Sequence, residues 1–251
     1  MKTAYEPPMD GLADRMARAK AYPYPLLDTS YVVHTGGYHT IADGEPLPDL
    51  DGRTPVLASG SNQSPLRLGT KFVDVADETL PVLRSRIEDF DSVYSAHFSS
   101  YGSVPSTIQH APGTAAYLFV TWLSPKQLER MHETEALGRN YDYVRLNGVS
   151  VSYGDGGHLD KVFAYLSRRG CIVENGEPIP LARVPAKNRR WKVMEQEEVI
   201  DAMRRRLQPE TPLDTFIGQH IDDEATRLAR CDALEAEAVT FNYDRVEHLL
   251  P

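Results

Sequence analysis

Residues 110–146 decide the fold, and their sequence is HAPGTAAYLFVTWLSPKQLERMHETEALGRNYDYVRL. Its apolar first part predicts a strand, the middle predicts a helix, and the residues from Tyr141 onward predict a second strand. Ser124 is followed by Pro125 and, three residues on, by Gln127. This is a capping box with proline at the first helical position. The helix therefore begins at a definite residue, and its faces can be assigned.

The predicted helix places one acid on the face that ought to be buried. Leu128, Met131 and Glu135 are spaced i, i+3 and i+7, so they lie within one sector of the helix. Glu133 falls on the opposite, solvated side. A buried, unpaired acid is costly, so its presence indicates a chemical role. The alternative is that Glu135 lies in a fraying last turn and reaches water.

His132 borders the same face, and a His-x-x-Glu pair is a fragment that can occur in metal sites. No second histidine or cysteine stands nearby at ligand spacing. We therefore predict no metal here, and an enzyme that depends on a metal at His132 remains a distant alternative.

A second informative stretch, TPVLASGSNQSPLRLGTKF, covers residues 54–72. It predicts a buried strand, a loop of small residues and a helix that begins at Ser64 and Pro65. The loop consists of Ser59, Gly60, Ser61 and Asn62. Backbone N–H groups in such a turn can hold a carboxylate or an oxyanion. The chain contains no Gly-x-Ser-x-Gly nucleophile motif, and no Gly-Lys-Ser/Thr follows the loop.

Composition narrows the class of protein. The chain has 251 residues, 41% of them hydrophobic and 25% charged, which is typical of a globular protein with a real core. The formal charge of −9 argues against a nucleic-acid partner or an anionic membrane surface. No apolar run approaches the roughly 20 residues that span a bilayer, and the N-terminus does not resemble a secretory signal. Cys171 and Cys231 predict no disulfide framework, so we expect a cytoplasmic protein.

Local signals predict further elements. Gly36–Gly37 and Asn175–Gly176 each indicate a tight hairpin. Residues 195–207 show a helical apolar stripe, and a further helix is predicted from Thr211 through Leu228.

In combination, these motifs resemble the gamma-glutamylcyclotransferase-like family over residues 54–167. The matching segments are the loop from Ser59 to Asn62, PSTIQHAPG (105–113), AYLFVTWL (116–123), the acidic helix end at Glu135 and the strand that opens at Tyr141. The family loop begins with tyrosine where this chain has Ser59, which removes an aromatic pocket wall. Tyr141 also lies one residue closer to the acid than in the family pattern.

The resemblance implies an α+β fold, a small mixed β-barrel flanked by helices. It also implies three regions: an N-terminal arm (1–53), a catalytic domain (54–185) and a helical C-terminal extension packed on the same domain (186–251). A homodimer is possible in this scheme, and neither a membrane nor a nucleic acid is expected as a partner.

The activity implied by the resemblance is cyclisation of a gamma-glutamyl amine or amide, with release of 5-oxoproline and the free amine. This reaction needs no cofactor, so none is expected. Glu135 would be the general acid/base, with a pKa raised by burial. Ser59, Gly60, Ser61 and Asn62 would bind substrate, and Tyr141 would line the pocket. Two alternatives stay open: another amine elimination or acyl transfer on a small amino-acid-like molecule, and a non-catalytic binding module. In the binding module, Glu135 would pair with an arginine and its pKa would be depressed.

Overall fold

A computed structural model describes residues 11–42, 44–75, 79–154 and 156–250, apart from the side chains of Leu12 and Val75. The part of the predicted arm over residues 1–10 lies outside the described residues. The helices are α1 (Leu12–Lys20), α2 (Pro65–Lys71), α3 (Pro125–Thr134), α4 (Gln196–Leu207), α5 (Leu213–Asp222) and α6 (Glu224–Glu235). The strands are β1 (Tyr31–His34), β2 (Gly37–Thr40), β3 (Thr54–Ala58), β4 (Leu80–Tyr94), β5 (Ser106–Leu123), β6 (Tyr141–Tyr153), β7 (Gly157–Ser167), β8 (Val173–Glu174), β9 (Glu177–Pro178), β10 (Ala186–Lys187) and β11 (Val246–Leu250).

Five strands close into a barrel in the order β5, β3, β7, β6 and β4, and a β4–β5 pairing completes the ring. The β3–β7 pair is parallel, and the other four pairs are antiparallel. Closure removes the unpaired strand edges that an open sheet would expose. The predicted mixed α+β fold with a small β-barrel is therefore confirmed.

Both faces of the central strands are buried. In β3, Leu57 packs in the larger apolar cluster, whereas its neighbours Val56 and Ala58 pack in a second, smaller cluster. This alternation follows the two-residue period of a strand. Leu68 of α2 and Met131 of α3 also belong to the smaller cluster. The two helices thus cover the same face of the barrel wall, and their C-terminal ends come close together.

The segments before and after the barrel pack against it and against each other. The β1–β2 hairpin, predicted at Gly36–Gly37, is confirmed, and β1 pairs with β4. Helix α1 contacts α5, and Met16 and Ala19 of α1 are buried. The three-part division of the chain stays a prediction. No helix in the described residues is long and apolar enough to span a membrane.

One predicted helix is wrong in extent. The helix expected from Thr211 through Leu228 is two helices, because the helical conformation is interrupted at Asp223. The Asp223 carboxylate accepts a hydrogen bond from the backbone N–H of Thr226 at 3.1 Å, so it caps α6. The apolar spacing continues from α5 into α6 and by itself predicts one long helix. The N-cap at Asp223 nevertheless starts a new helix.

Candidate active site

A cavity of about 310 Å³ opens between the ends of α2 and α3, the loop after β3 and the start of β5. All the site residues predicted from the sequence line it: Ser59, Gly60, Ser61, Asn62, Glu135 and Tyr141. The volume lies at the lower end of the range of about 300–1,000 Å³ that is usual for small-molecule pockets. The cavity therefore fits a small ligand.

Glu135 is the residue that ends α3. The predicted capping box is present: Ser124 accepts from the Gln127 N–H, and Gln127 accepts from the Ser124 N–H. This start fixes the helix so that Met131 is fully buried and Glu135, one turn later, points the same way. Only 13% of the Glu135 side chain is exposed. The alternative in which Glu135 reaches bulk water is therefore wrong.

Glu135 has two partners that close a small polar network. Asn62 Nδ2 donates to Glu135 Oε1 at 3.0 Å, so the small-residue loop and the acid are in direct contact. Lys71 Nζ donates to the same Oε1, and also to Asn62 Oδ1 at 2.9 Å. The Lys71 side chain is only 3% exposed. Carboxylate, amide and ammonium therefore hold one another at the cavity wall.

Sequence reasoning missed Lys71, although a signal for it was present. Lys71 follows Leu68 by three residues, and Leu68 is fully buried, so both lie on the inner face of α2. Applied to α2, the spacing argument that singled out Glu135 on α3 indicates an inward-pointing cation. What the sequence could not show is that the two helix ends meet, because Lys71 and Glu135 are 64 residues apart.

The ion pair reverses the expected pKa shift of Glu135. Burial acts to raise the pKa, but the Lys71 charge and the hydrogen bonds from Lys71 and Asn62 outweigh it, so the pKa lies below its usual value. The raised pKa expected from the sequence is therefore wrong, because it ignored Lys71. Burial also lowers the pKa of Lys71, against the opposing effect of Glu135.

The cavity lining carries more positive than negative charge. Within the described residues, Arg67 and Lys71 line it as cations and Glu135 as the carboxylate. His97 also lines it, but burial, together with the charge of Arg169, lowers the pKa of His97 to about 3. His97 is therefore neutral at physiological pH. Arg67 and Lys71 are thus the cationic side chains of the described lining.

The loop presents its backbone to the cavity. A short 3₁₀ turn covers Ser61–Gln63, and Gly60 precedes it. The first N–H groups of a helical turn are not used in its own hydrogen bonds. That of Ser61 is hydrogen-bonded to the Tyr22 hydroxyl. The other end of the loop is anchored, because Ser92 Oγ donates to the Ser59 carbonyl at 2.6 Å.

Tyr141 also lies where the sequence predicted. Its hydroxyl donates to the Ser106 carbonyl at 3.0 Å, and its ring packs edge-on against His97 at 5.6 Å between centroids. Burial raises the pKa of Tyr141 well above its usual value, so the hydroxyl stays protonated. A second tyrosine that sequence reasoning missed, Tyr22 of the N-terminal arm, lies over Gly60. Tyr22 thus supplies an aromatic side chain to the cavity wall, in a chain that has Ser59 at the first position of the loop.

His132 lies at the edge of the site and has a protein partner. Its Nδ1 is 2.8 Å from the Tyr165 hydroxyl, and its ring packs edge-on against Tyr143 at 4.6 Å. Burial lowers the pKa of His132 despite the opposing charge of Glu135. The described residues contain no group of three or more His, Cys, Asp or Glu side chains placed to hold a metal.

Neither a protein-family model nor a curated protein matches this chain. Among solved structures, it is similar to a gamma-glutamyl cyclotransferase, with 16% identity, a TM-score of 0.37, and coverage of 76% of this chain and 91% of the other. It is also similar to an uncharacterized protein from Homo sapiens, with 16% identity, a TM-score of 0.37, and coverage of 77% and 92%. These are distant likenesses of fold. Any assignment of activity therefore depends on the geometry of the cavity.

Proposed function

We propose that this protein is an enzyme that cyclises a gamma-glutamyl amine or amide and releases 5-oxoproline and the free amine. The observation that carries the proposal is the placement of Glu135. It is a nearly buried carboxylate in the wall of a small cavity, hydrogen-bonded to Asn62 of the small-residue loop after β3. The family resemblance of the ordered motifs supports the same reaction.

The reaction needs proton transfer and positioning. The α-amine of the substrate attacks its own γ-carbonyl, a new C–N bond closes the five-membered lactam, and the bond to the leaving amine breaks. Holding the chain folded makes this an intramolecular step with a high effective concentration. The α-ammonium must lose one proton before attack and a second one as the C–N bond forms. One of these two protons passes to the solvent, and the other must reach the leaving amine as its bond breaks.

Glu135 would carry that proton. Because its pKa is lowered, Glu135 is ionised before the reaction and acts first as a base. It then returns the proton to the leaving nitrogen. Lys71 and Arg67 would favour the α-carboxylate of the substrate, and as neighbouring cations they would disfavour the ammonium form of its amine. The backbone N–H of Asn62, in the 3₁₀ turn, would stabilise the oxyanion that forms on the carbonyl.

The test is a panel of gamma-glutamyl amines and amides incubated with the purified protein, with 5-oxoproline measured by mass spectrometry. We expect release from at least one compound, and a loss of at least ~100-fold in turnover for Glu135→Gln, the usual scale for general acid–base catalysis. Glutamine can still accept the hydrogen bonds from Lys71 and Asn62, and circular dichroism would verify the fold. Full activity of Glu135→Gln would remove this residue from the mechanism. Consumption of substrate without 5-oxoproline would support the other amine elimination or acyl transfer.

A second candidate, a non-catalytic binding module, is favoured by one observation. Glu135 is paired with a cation and its pKa is lowered, as that alternative expects, although the partner is lysine rather than arginine. Lysine can give up its proton, whereas arginine stays charged in proteins, so the Lys71 pair retains a capacity for proton transfer. The binding module would bind gamma-glutamyl compounds in calorimetry and leave them intact over long incubation.

A further inference from the structure

The arm residue Tyr22 belongs to the site through Ser106. Tyr22 follows α1, is only 3% exposed and lines the same cavity as Glu135. Its hydroxyl accepts a hydrogen bond from the Ser106 N–H at 2.8 Å and donates to Ser106 Oγ at 3.0 Å. The same hydroxyl accepts a hydrogen bond from the Ser61 backbone N–H, so Tyr22 contacts both the start of β5, 84 positions away, and the loop after β3.

Ser106 joins three parts of the cavity wall. Its carbonyl accepts from the Tyr141 hydroxyl at 3.0 Å, and its Oγ lies 3.2 Å from Ser59 Oγ. The two peptide units that flank the Cα atom of Ser106, at the start of β5, are thus held by the arm through the N–H and by β6 through the carbonyl. The loop that begins at Ser59 is connected to both tyrosines through this serine.

Gly60 shows how closely the arm approaches the loop. A Cβ atom on Gly60 would come within 1.9 Å of the Tyr22 hydroxyl oxygen and 2.1 Å of Ser106 Oγ. Only glycine permits this approach, because it has no side chain. The backbone of the loop therefore packs directly against the hydroxyl of Tyr22, and the two must move together.

The C-terminal helices hold the arm in this position. Lys20 of α1 pairs with Asp214 of α5 at 2.7 Å and with Glu197 of α4 at 3.3 Å. Ala19 of α1 and Ile217 of α5 meet at Gly102, where an added Cβ would lie 3.3 Å from the Ala19 Cβ and 2.8 Å from Ile217 Cγ2. The arm and the C-terminal helices thus pack together and support the residues that line the cavity.

We infer that Tyr22 is a positioning residue of the site: it holds Gly60 and Ser61 by direct contact and Ser59 through Ser106, and the C-terminal helices act on the site through the arm. The ligand part of this inference rests on the proposed function. The loop would present its N–H groups correctly only with the arm docked. Both extensions of the chain would then serve the binding of the substrate's acyl part.

The experiment compares Tyr22→Phe with Tyr24→Phe as a matched control. Tyr24 is on the same arm and is also buried, and its ring packs edge-on against Tyr22 at 5.9 Å. However, it does not line the described cavity. Each variant loses one buried hydroxyl, so unfolding measurements would show whether the stabilities fall alike. Two readouts follow: hydrogen exchange of the peptide that spans residues 57–64, and the Kd of 5-oxoproline by calorimetry.

We expect faster exchange of the loop in Tyr22→Phe than in the wild type, and no change in Tyr24→Phe. We also expect the Kd of 5-oxoproline to rise about tenfold in Tyr22→Phe, because the Ser106 N–H loses its partner, and to change less than about twofold in the control. A purely structural role would lower stability in both variants and leave the Kd of the folded protein unchanged.

The inference and the proposed function fail in different ways. If the wild type neither binds 5-oxoproline nor releases it, the proposed function is overturned, and loop exchange still decides the role of Tyr22. If exchange of residues 57–64 in Tyr22→Phe equals that in the wild type, the positioning role is overturned whatever the activity.

Discussion

Helices α2 and α3 begin alike and end with opposite charges. Each has serine at the N-cap and proline at the first helical position, and each ends at a charged side chain turned toward the cavity: Lys71 on α2, Glu135 after α3. Their starts differ in one respect. Ser124 has a capping hydrogen bond, whereas the buried Ser64 hydroxyl has no partner among the described residues. Helix α3 is thus fixed by its own sequence, and α2 depends more on packing.

The comparison shows why a single charged residue on a buried face is an incomplete observation. Glu135 alone predicts a raised pKa, and Lys71 alone predicts a costly buried cation. Together they form an ion pair that leaves Glu135 ionised and hydrogen-bonded. The charge state of Glu135 therefore has to be considered together with Lys71, because the fold brings the two side chains into contact.

The largest effect is expected from breaking the pair on the α2 side. Lys71→Met leaves Glu135 nearly buried without its cation, which should lower the free energy of unfolding by about 3–5 kcal/mol. Denaturant unfolding would measure it. In the double variant Lys71→Met/Glu135→Leu, the loss should be much smaller than the sum of the two single losses. Additive losses would contradict a direct pair.

The pH dependence of stability tests the same pair by its sign. The folded-state pKa of Glu135 is lowered, so the ionised carboxylate stabilises the folded protein. This stabilisation is fully present above the unfolded-state pKa of about 4.3 and is lost as the pH falls through the folded-state pKa. In Lys71→Met, burial without the cation raises the pKa of Glu135. Protonation of Glu135 on lowering the pH should then increase the stability of this variant instead of decreasing it. Unfolding midpoints measured across the acid range would show it. Parallel curves for the two proteins would show that Lys71 does not control Glu135.

The helix starts provide a smaller test. Ser124→Ala should cost about 1 kcal/mol of stability, since it removes a capping hydrogen bond. Ser64→Ala should cost clearly less, because the hydroxyl that it removes has no partner in the described structure. Thermal unfolding of the two variants side by side measures the difference. Equal losses would show that α2 and α3 begin in the same way.

The smallest effect is expected at Glu133, the other acid of the same helix. It is exposed and pairs with Arg130 at 3.0 Å on the surface. Exposed pairs contribute about 0–1 kcal/mol, so Glu133→Gln should leave stability nearly unchanged. It should also leave activity unchanged, which makes it the matched control for Glu135→Gln. A large loss of activity in Glu133→Gln would show that the site has been assigned to the wrong face of α3.

Short-range sequence patterns predicted many of the elements of this structure. The capping box at Ser124, the hairpin glycines and the apolar face of α3 are encoded within a few residues, and each prediction from them is confirmed. The site residues from the loop and from α3 are likewise brought to one cavity. Their catalytic roles stay predictions.

What the sequence did not show are contacts between distant segments. Lys71 meets Glu135 across 64 residues, and Tyr22 meets Ser106 across 84. Neither pairing has a local signature, because it depends on how the barrel closes and on where the arm docks. The break at Asp223 is a different kind of miss: the capping signal was present, but the apolar pattern continues across it.

The most direct measurement is release of 5-oxoproline from gamma-glutamyl compounds by the wild type, Glu133→Gln and Glu135→Gln, assayed together by mass spectrometry. We predict equal release by the wild type and Glu133→Gln, and at least ~100-fold less by a folded Glu135→Gln. Release by Glu135→Gln at the wild-type rate, or none from any compound by the wild type, would contradict the account.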